Sequence, residues 1–260
     1  MHASIPEFTR ALAESAGELI RRERLAVQGL TSAYKGGTEL VTNADLQADQ
    51  YICDAIRARF PGHRILAEES APDMLDLSAW QGPLWIIDPI DGTRAFIEGR
   101  PEWCVAAALI IAGRPVLAAV YRPSSGEFYS AIAGRGAALN DQPLAIADSP
   151  SLEGARIMGN RKALAGLSHL GVAGDTSGSL PLQLRLAHVA AGRLEGAVSV
   201  GQRNDWDLAA GELLVIEAGG LVSGTSGEGY VYNRPEPWQQ GLVAAGARRH
   251  AALIDALRTP

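Results

Sequence analysis

The chain has 260 residues, of which 47% are hydrophobic and 20% are charged, and its formal net charge at pH 7 is −6. This length can bury a substantial core in one domain or in two small ones. Because 29 acidic side chains outnumber 23 basic ones, broad binding to nucleic acid or to an anionic membrane is not expected. Cys53 and Cys104 are too few for a disulfide framework, so both are expected as reduced, buried thiols.

Charged residues interrupt the N-terminal 25 positions, and the longest apolar stretch, 104–112, is too short to cross a bilayer. These features predict a cytoplasmic globular protein. In chain order, the patterns predict a helix over 5–25, a helix over 45–60, strands over 84–87, 105–111, 115–121, 127–133 and 155–158, a helix over 180–191, a strand over 196–200 and a helix over 207–218.

This order of elements predicts a layered α/β protein. The stretch 143–154 is polar and rich in turn residues. It predicts that one domain, 1–260, divides into two subdomains, 1–147 and 148–260. The first would contain helices and an antiparallel sheet, and the second would be a smaller α/β part.

The densest group of chemically useful residues runs from Trp85 to Thr93 with the sequence WIIDPIDGT. A buried strand would deliver Asp88 at its end, and a proline turn would bring Asp91 back toward it. Two carboxylates this close repel each other unless a cation lies between them. A hard divalent cation fits, and the carbonyl of Ile90 could contribute. An ordinary Asp-Pro turn explains the dipeptide alone but not the whole run.

Three more acidic segments have weaker signals. Glu68 and Glu69 follow a short apolar run, and paired glutamates at a strand end are commonly solvated. Asp45 lies in the first turn of a predicted helix, where the helix dipole alone accounts for it. Asp205 and Asp207 precede the last predicted helix, and capping of that helix is an equally good explanation.

Together these segments resemble the inositol monophosphatase superfamily of metal-dependent phosphatases. The run from Trp85 to Thr93 matches the family pattern W-x-x-D-P-x-D-G-T. Further matches follow in the family's order, at 41–45, 68–69, 206–211 and 217–220. The resemblance covers most of the chain, and four separated acidic motifs in one order make coincidence improbable.

The resemblance implies the layered α-β-α-β-α sandwich of the inositol monophosphatase and fructose-1,6-bisphosphatase type, usually as a homodimer. It also implies two to three Mg²⁺ ions and inhibition by lithium. The implied metal ligands are Glu68, Asp88, the carbonyl of Ile90, Asp91 and Asp207. Asp88 would bridge two ions, and Asp45 would reach a third through water.

The family also implies roles in catalysis and substrate binding. The residues that would orient and deprotonate the attacking water are Glu68, Thr93 and Asp45. The residues that would contact the substrate are Asp91, Gly92, Thr93, Gly178, Ser179 and Asp207. In this group the backbone N–H groups of Gly92 and Thr93 would bind the phosphate.

One departure from the family pattern affects the substrate. Inositol phosphatases carry a Glu seven residues before the Asp that matches Asp207, whereas this chain has Val200. An inositol monophosphate remains the first expectation. The segment 93–97 is similar to the corresponding segment of the family's 3′(2′),5′-bisphosphate nucleotidases, which are the first alternative. Histidinol-phosphate phosphatases share the acidic motifs and are the next alternative. A non-enzymatic alternative is a regulatory partner of the transcription machinery, as in some bacterial members.

Overall fold

The computed structural model describes residues 4–25, 31–35, 39–70, 80–146, 148–175 and 180–258. Its helices are α1 (Ile5–Leu25), α2 (Asn43–Arg59), α3 (Thr93–Ile97), α4 (Arg161–Leu167), α5 (Leu182–Ala190), α6 (Ala209–Glu217) and α7 (Ala247–Arg258). Its strands are β1 (Ser32–Lys35), β2 (Glu39–Thr42), β3 (Arg64–Ala67), β4 (Leu84–Asp91), β5 (Cys104–Ile111), β6 (Arg114–Arg122), β7 (Glu127–Ile132), β8 (Gly136–Leu139), β9 (Gln142–Pro143), β10 (Arg156–Gly159), β11 (Ala173–Asp175), β12 (Gly196–Asn204), β13 (Gly220–Ser223) and β14 (Trp238–Gly246).

The strands form two large sheets and one hairpin. Seven strands run in the order β3-β4-β5-β6-β7-β8-β9, and five in the order β11-β10-β12-β14-β13. In the larger sheet β3 is parallel to β4, and every later neighbour is antiparallel. The hairpin joins β1 to β2. The seven-stranded sheet therefore uses the chain up to Pro143, and the five-stranded sheet uses the chain from Arg156 onward.

The helices and the two large sheets form five layers, which pack together through three apolar cores. One core lies between the helices α1 and α2 and one face of the seven-stranded sheet. The second joins the other face of that sheet to α5, α6 and the five-stranded sheet. The third lies between the far face of the five-stranded sheet and the helices α4 and α7. This arrangement confirms the predicted layered α-β-α-β-α sandwich.

The helices follow their sequence patterns closely. α1 has the predicted bounds, and its buried positions form one face toward the sheet. α6 is apolar almost all round because it packs between the two sheets. The predicted helices at 180–191 and 207–218 are shorter in the structure, because Pro181 precedes α5 and a 3₁₀ turn, Asp205–Asp207, precedes α6. No helix in the described part of the chain is long and apolar enough to span a bilayer.

Candidate active site

The strand β4 carries two aspartates on the same face because it contains a bulge. Asp88 is paired with Ala106 and Asp91 with Cys104, so β4 has one more residue than β5 in this interval. In a regular strand, residues three apart point to opposite faces. The extra residue turns both carboxylates toward the layer that contains α5 and α6. Pro89 lies in the bulge, where its missing N–H does not break the ladder.

The sequence prediction placed the end of this strand at residue 87. The strand instead continues through Asp91, with the irregularity inside it. Asp88 therefore lies within the sheet and is almost wholly buried, at 1% exposure. The two aspartates are consequently held by ladder bonds rather than by a free turn.

A third aspartate comes from the turn that follows a strand of the five-stranded sheet. Asp207 ends the 3₁₀ turn that links β12 to α6, and one carboxylate oxygen from each of Asp88, Asp91 and Asp207 lies within 4.8 Å of the others. Asn204 caps this turn, and its N–H donates to Oδ2 of Asp207 at 3.2 Å. Asp205 faces away and accepts from Nε2 of Gln239 at 2.8 Å. Of the two candidate acids in this segment, only Asp207 joins the cluster.

Glu68 joins the cluster from the neighbouring strand. It follows β3, which is parallel to β4, and its N–H donates to the carbonyl of Ile87 at 3.1 Å. Its carboxyl group forms a hydrogen bond with that of Asp88. The parallel pairing explains this position, because the carboxyl ends of both strands reach the same edge.

Burial and mutual repulsion disfavour the ionised forms of these acids. The pKa of Glu68 rises to about 8, mainly through burial and then through the charge of Asp207. Burial raises the pKa of Asp91 to about 7, against a hydrogen bond from the N–H of Gln183 that lowers it. Burial also raises the pKa of Asp88 well above its usual range, followed by the charges of Glu68 and Asp91. The cluster is thus electrostatically costly without a cation.

The donor set fits a hard divalent cation. The ligands are carboxylate oxygens, which Mg²⁺ and Ca²⁺ prefer. Oδ1 of Asp88 is buried and has no hydrogen-bond partner among the described residues, so it is available to a metal. A bound cation would offset the repulsion that raises the pKa values of Glu68, Asp88 and Asp91. The site therefore has the chemistry of a metal centre.

A hydroxyl lies at the edge of this cluster. Oγ1 of Thr93 is 3.1 Å from Oδ1 of Asp45 and 3.1 Å from the carbonyl oxygen of Ile90. Oδ2 of Asp45 accepts from both the N–H and the hydroxyl of Thr42, at 2.8 and 2.5 Å, which completes a capping box for α2. The two oxygens of Asp45 thus have separate roles, so the capping explanation and the functional one are compatible.

Gly92 brings the chain from β4 into the short helix α3. Its φ is +104°, and a Cβ atom there would lie 2.7 Å from the carbonyl oxygen of Glu102. Only glycine fits this turn without strain. The N–H groups at the start of a helix lack acceptors within the helix and favour an anion. Gly92 and Thr93 stand at the start of this helix, directly after Asp91 in β4.

Gln183 was not among the predicted site residues. Its N–H donates to Oδ2 of Asp91 at 2.6 Å. Its side chain donates to the carbonyl of Trp206 at 2.6 Å and accepts from the N–H of Gly211 at 2.7 Å. Gln183 therefore connects Asp91 with the segment that carries Asp207. Sequence alone gives only a polar residue within an apolar helix as a signal.

The C-terminal end of α6 contacts the turn between β7 and β8. Both carboxylate oxygens of Glu217 accept backbone hydrogen bonds, one from Gly134 at 2.9 Å and one from Gly136 at 2.8 Å. This contact fixes the turn against the helix and gives Glu217 a structural role.

Of the predicted substrate contacts, Gly178 and Ser179 lie outside the described residues.

The model of the inositol monophosphatase family matches residues 2–259. The chain belongs to the inositol monophosphatase family. Nus factor SuhB of Escherichia coli strain K12 is 37% identical over 270 residues, covering 99% of this chain and 97% of that protein. Inositol monophosphatase 1 of Solanum lycopersicum is 30% identical over 269 residues, covering 95% and 92%. The crystal structure of the extragenic suppressor protein suhB from Bartonella henselae superposes with a TM-score of 0.84, at 28% identity and 99% coverage of each chain.

This membership agrees with the resemblance inferred from the motifs. The family is metal-dependent and acts on small phosphorylated substrates, and the cluster of Asp88, Asp91 and Asp207 could hold a metal ion. The relatives bear two kinds of name, inositol monophosphatase and Nus factor. The comparisons therefore support a phosphatase and leave its substrate open.

Proposed function

We propose that the chain is a Mg²⁺-dependent phosphomonoesterase that hydrolyses a small phosphorylated metabolite, with an inositol monophosphate as its first candidate. The observation that supports this most directly is that one carboxylate oxygen from each of Asp88, Asp91 and Asp207 lies within 4.8 Å of the others, although the first two belong to β4 and the third to the 3₁₀ turn after β12. In this proposal the groups that would hold two Mg²⁺ ions are the carboxylates of Glu68, Asp88, Asp91 and Asp207 and the carbonyl of Ile90. Glu68 would also serve a third ion, with Asp45 reaching it through water.

Bound Mg²⁺ supplies charge neutralisation for the phosphate oxygens, a more acidic water and stabilisation of the leaving oxygen. The protein's own groups then position the reactants. The hydroxyl of Thr93, backed by Asp45, holds a water in line, and the carboxylate of Glu68 accepts its proton. The N–H groups of Gly92 and Thr93 hold the phosphate, and a phosphomonoester dianion is thereby aligned for attack.

The test is phosphate release from inositol 1-phosphate, adenosine 3′,5′-bisphosphate, histidinol phosphate and fructose 1,6-bisphosphate. Each assay is run with and without Mg²⁺ and with added Li⁺. We expect Mg²⁺-dependent turnover that Li⁺ inhibits. Absence of Mg²⁺-dependent release from all four would refute the proposal. Sedimentation would test the homodimer that the family suggests.

A regulatory role in the transcription machinery is the second candidate function. The relatives named Nus factor favour it, because they match nearly the whole chain. The two functions separate with Asp88→Asn, which removes a metal ligand and keeps the side chain's shape. The test is complementation of a strain that lacks the protein. If Asp88→Asn restores the regulatory phenotype as well as the wild type does, the protein has a function that is independent of catalysis.

A further inference from the structure

A cavity of about 470 Å³ lies between the start of α1 and the outer part of the seven-stranded sheet. Its floor is formed by strands β6, β7 and β8, and one wall is formed by the first two turns of α1. Helices α1 and α2 pack mainly on strands β3 to β6, so the cavity lies over sheet surface beyond the main area of helix contact. The described residues that line it include no member of the carboxylate cluster.

A row of small side chains explains why this space is not filled. Ala119, Ser130 and Ala138 are register partners on three neighbouring strands, and all three line the cavity. Phe128 and Ile132 lie two residues to either side of Ser130 on β7, so they point to the same face of the sheet. The row is therefore a depression bordered by larger apolar side chains.

Four charged side chains line the cavity, and three of them already have partners. One Nη atom of Arg10 lies 2.5 Å from Oδ1 of Asp141, so these two charges compensate each other. The carboxylate of Glu7 accepts from the N–H of Ser4 at 2.8 Å and caps the start of α1. The guanidinium of Arg135 forms no hydrogen bond or ion pair with the described residues. Arg135 is thus the uncompensated charge of the cavity.

The backbone holds Arg135 at the edge of this cavity. It lies between Gly134 and Gly136, whose N–H groups both donate to the carboxylate of Glu217. Its own N–H donates to the carbonyl of Ile132 at 2.8 Å. Three hydrogen bonds therefore fix this turn, while the side chain of Arg135 remains exposed. Small-molecule pockets commonly combine an apolar lining with a few fixed polar groups of this kind.

We infer that this cavity binds a small organic anion that has an apolar body and one acidic head group. The apolar body would lie on the row of Ala119, Ser130 and Ala138, beside Phe128, and the head group would pair with Arg135. The volume lies within the range of small-molecule pockets, about 300–1,000 Å³. Charge complementarity favours an anion over a neutral or cationic molecule. The inference does not depend on the proposed function, because the metal cluster takes no part in it.

The test uses the fluorescent anion 8-anilinonaphthalene-1-sulfonate, whose apolar rings carry one sulfonate and whose emission rises in apolar surroundings. It is titrated into the whole chain in EDTA. We expect saturable binding of one molecule per chain. Decanoate should displace it at a lower concentration than decanol, which has the same apolar chain without the charge. Displacement by inorganic phosphate would place the bound anion at a site without an apolar floor and would overturn the inference.

Variants on the floor and at the edge locate the site. Ser130→Leu fills the depression and should abolish saturable binding. Arg135→Gln should weaken binding about 3- to 10-fold, whereas Arg135→Lys, which keeps the charge, should retain most of the affinity. Arg57→Gln is the matched control, because Arg57 is exposed on α2 and pairs with Asp54 outside the cavity. Since Arg135 is exposed, its variants keep the test valid if Ser130→Leu folds poorly.

Two results would overturn the inference. One is an equal affinity of the wild type, Ser130→Leu and Arg135→Gln for the fluorescent anion. The other is binding that weakens as the protein concentration rises, because the cavity would then be covered by a second copy of the chain. Saturable binding that Ser130→Leu abolishes, that Arg135→Gln weakens and that Arg57→Gln leaves unchanged would establish the site.

Discussion

The N–H of Gln183 donates a hydrogen bond to Oδ2 of Asp91 across 2.6 Å, although 92 residues separate them in the chain. The side chain of the same glutamine bonds the carbonyl of Trp206 and the N–H of Gly211, on either side of Asp207. One residue therefore positions Asp91 in β4 relative to the 3₁₀ turn that carries Asp207. The proposed metal site would need such support from residues outside its ligand set.

Replacing Gln183 with Leu should weaken both the fold and the metal site. The buried carbonyl of Trp206 and N–H of Gly211 would lose their partners, at a cost of about 1–3 kcal/mol each. We expect the midpoint of urea unfolding to fall and the affinity for Mg²⁺ to decrease. Gln50→Leu is the control, because Gln50 is exposed and its side chain donates to Asp54 on the surface of α2. Equal midpoints and affinities for the two variants would contradict this role.

Asp88→Asn should change activity and metal-free stability in opposite directions. Loss of a central ligand should reduce kcat/KM by about 10³-fold or more. Burial, and then the charges of Glu68 and Asp91, raise the pKa of Asp88 and make its ionised form costly in the folded protein. Asparagine carries no charge, so the metal-free variant should unfold at a higher temperature. Calorimetry in EDTA and phosphate release in Mg²⁺ measure the two effects. Asp54→Asn is the control, since Asp54 is exposed on α2 and lies outside the cluster. A stability loss in Asp88→Asn would contradict the prediction.

Thr93→Val should lower kcat far more than it changes KM. It keeps the shape of the side chain but removes the hydroxyl that lies 3.1 Å from both Asp45 and the carbonyl of Ile90. We expect kcat to fall about 10²-fold, the lower range for a positioned proton-transfer group. Steady-state kinetics with Thr93→Ser, which keeps the hydroxyl, supply the control. If Ser and Val variants lose equal activity, the hydroxyl is not the important group.

Because Glu212 is buried, we expect the free energy of unfolding to depend on pH. Burial raises its pKa to about 7, while the nearby Tyr232 hydroxyl and the charge of Arg114 oppose the shift. Between pH about 4.5 and about 7 the folded state therefore binds more protons than the unfolded state. Under this condition the free energy of unfolding decreases as pH rises, and the loss is complete above pH about 7.

The corresponding experiment uses Glu212→Gln, which cannot titrate. A shift from 4.5 to about 7 corresponds to about 3 kcal/mol of stability lost by the wild type across this interval. The variant should lack this component, so the difference between the two proteins should grow from pH 4.5 to pH 8. Urea unfolding in EDTA at several pH values measures it, with the exposed Glu236→Gln as control. Parallel curves for wild type and Glu212→Gln would refute the prediction.

Much of the fold could be predicted because it depends on periodic patterns. The apolar periods gave α1, the hairpin of β5 and β6, and the order of layers. The acids Asp88, Asp91 and Asp207 stand in motifs whose residue types already suggest metal chemistry. These features depend on side chains that are close in sequence or on a pattern shared with a family.

The supporting contacts could not be predicted, because each joins distant segments through ordinary residue types. Gln183 reads as a polar residue in a buried helix, and nothing nearby shows that Asp91 and Gly211 are its partners. Arg185 and Arg203 lie 18 residues apart, and only the packing of α5 against β12 brings them to one cavity. Predicting such contacts requires the three-dimensional arrangement.

The bulge in β4 also determines which kinds of change the segment can survive. Substitutions at Pro89 or Ile90 leave the number of residues between Asp88 and Asp91 intact, so both carboxylates still face Asp207. Inserting one more residue while the rest of the ladder is kept would reverse the alternation beyond it and turn Asp91 toward the opposite core, beneath α1 and α2. In this segment the chain length between the two acids is therefore under stricter constraint than the identity of the residues that fill it.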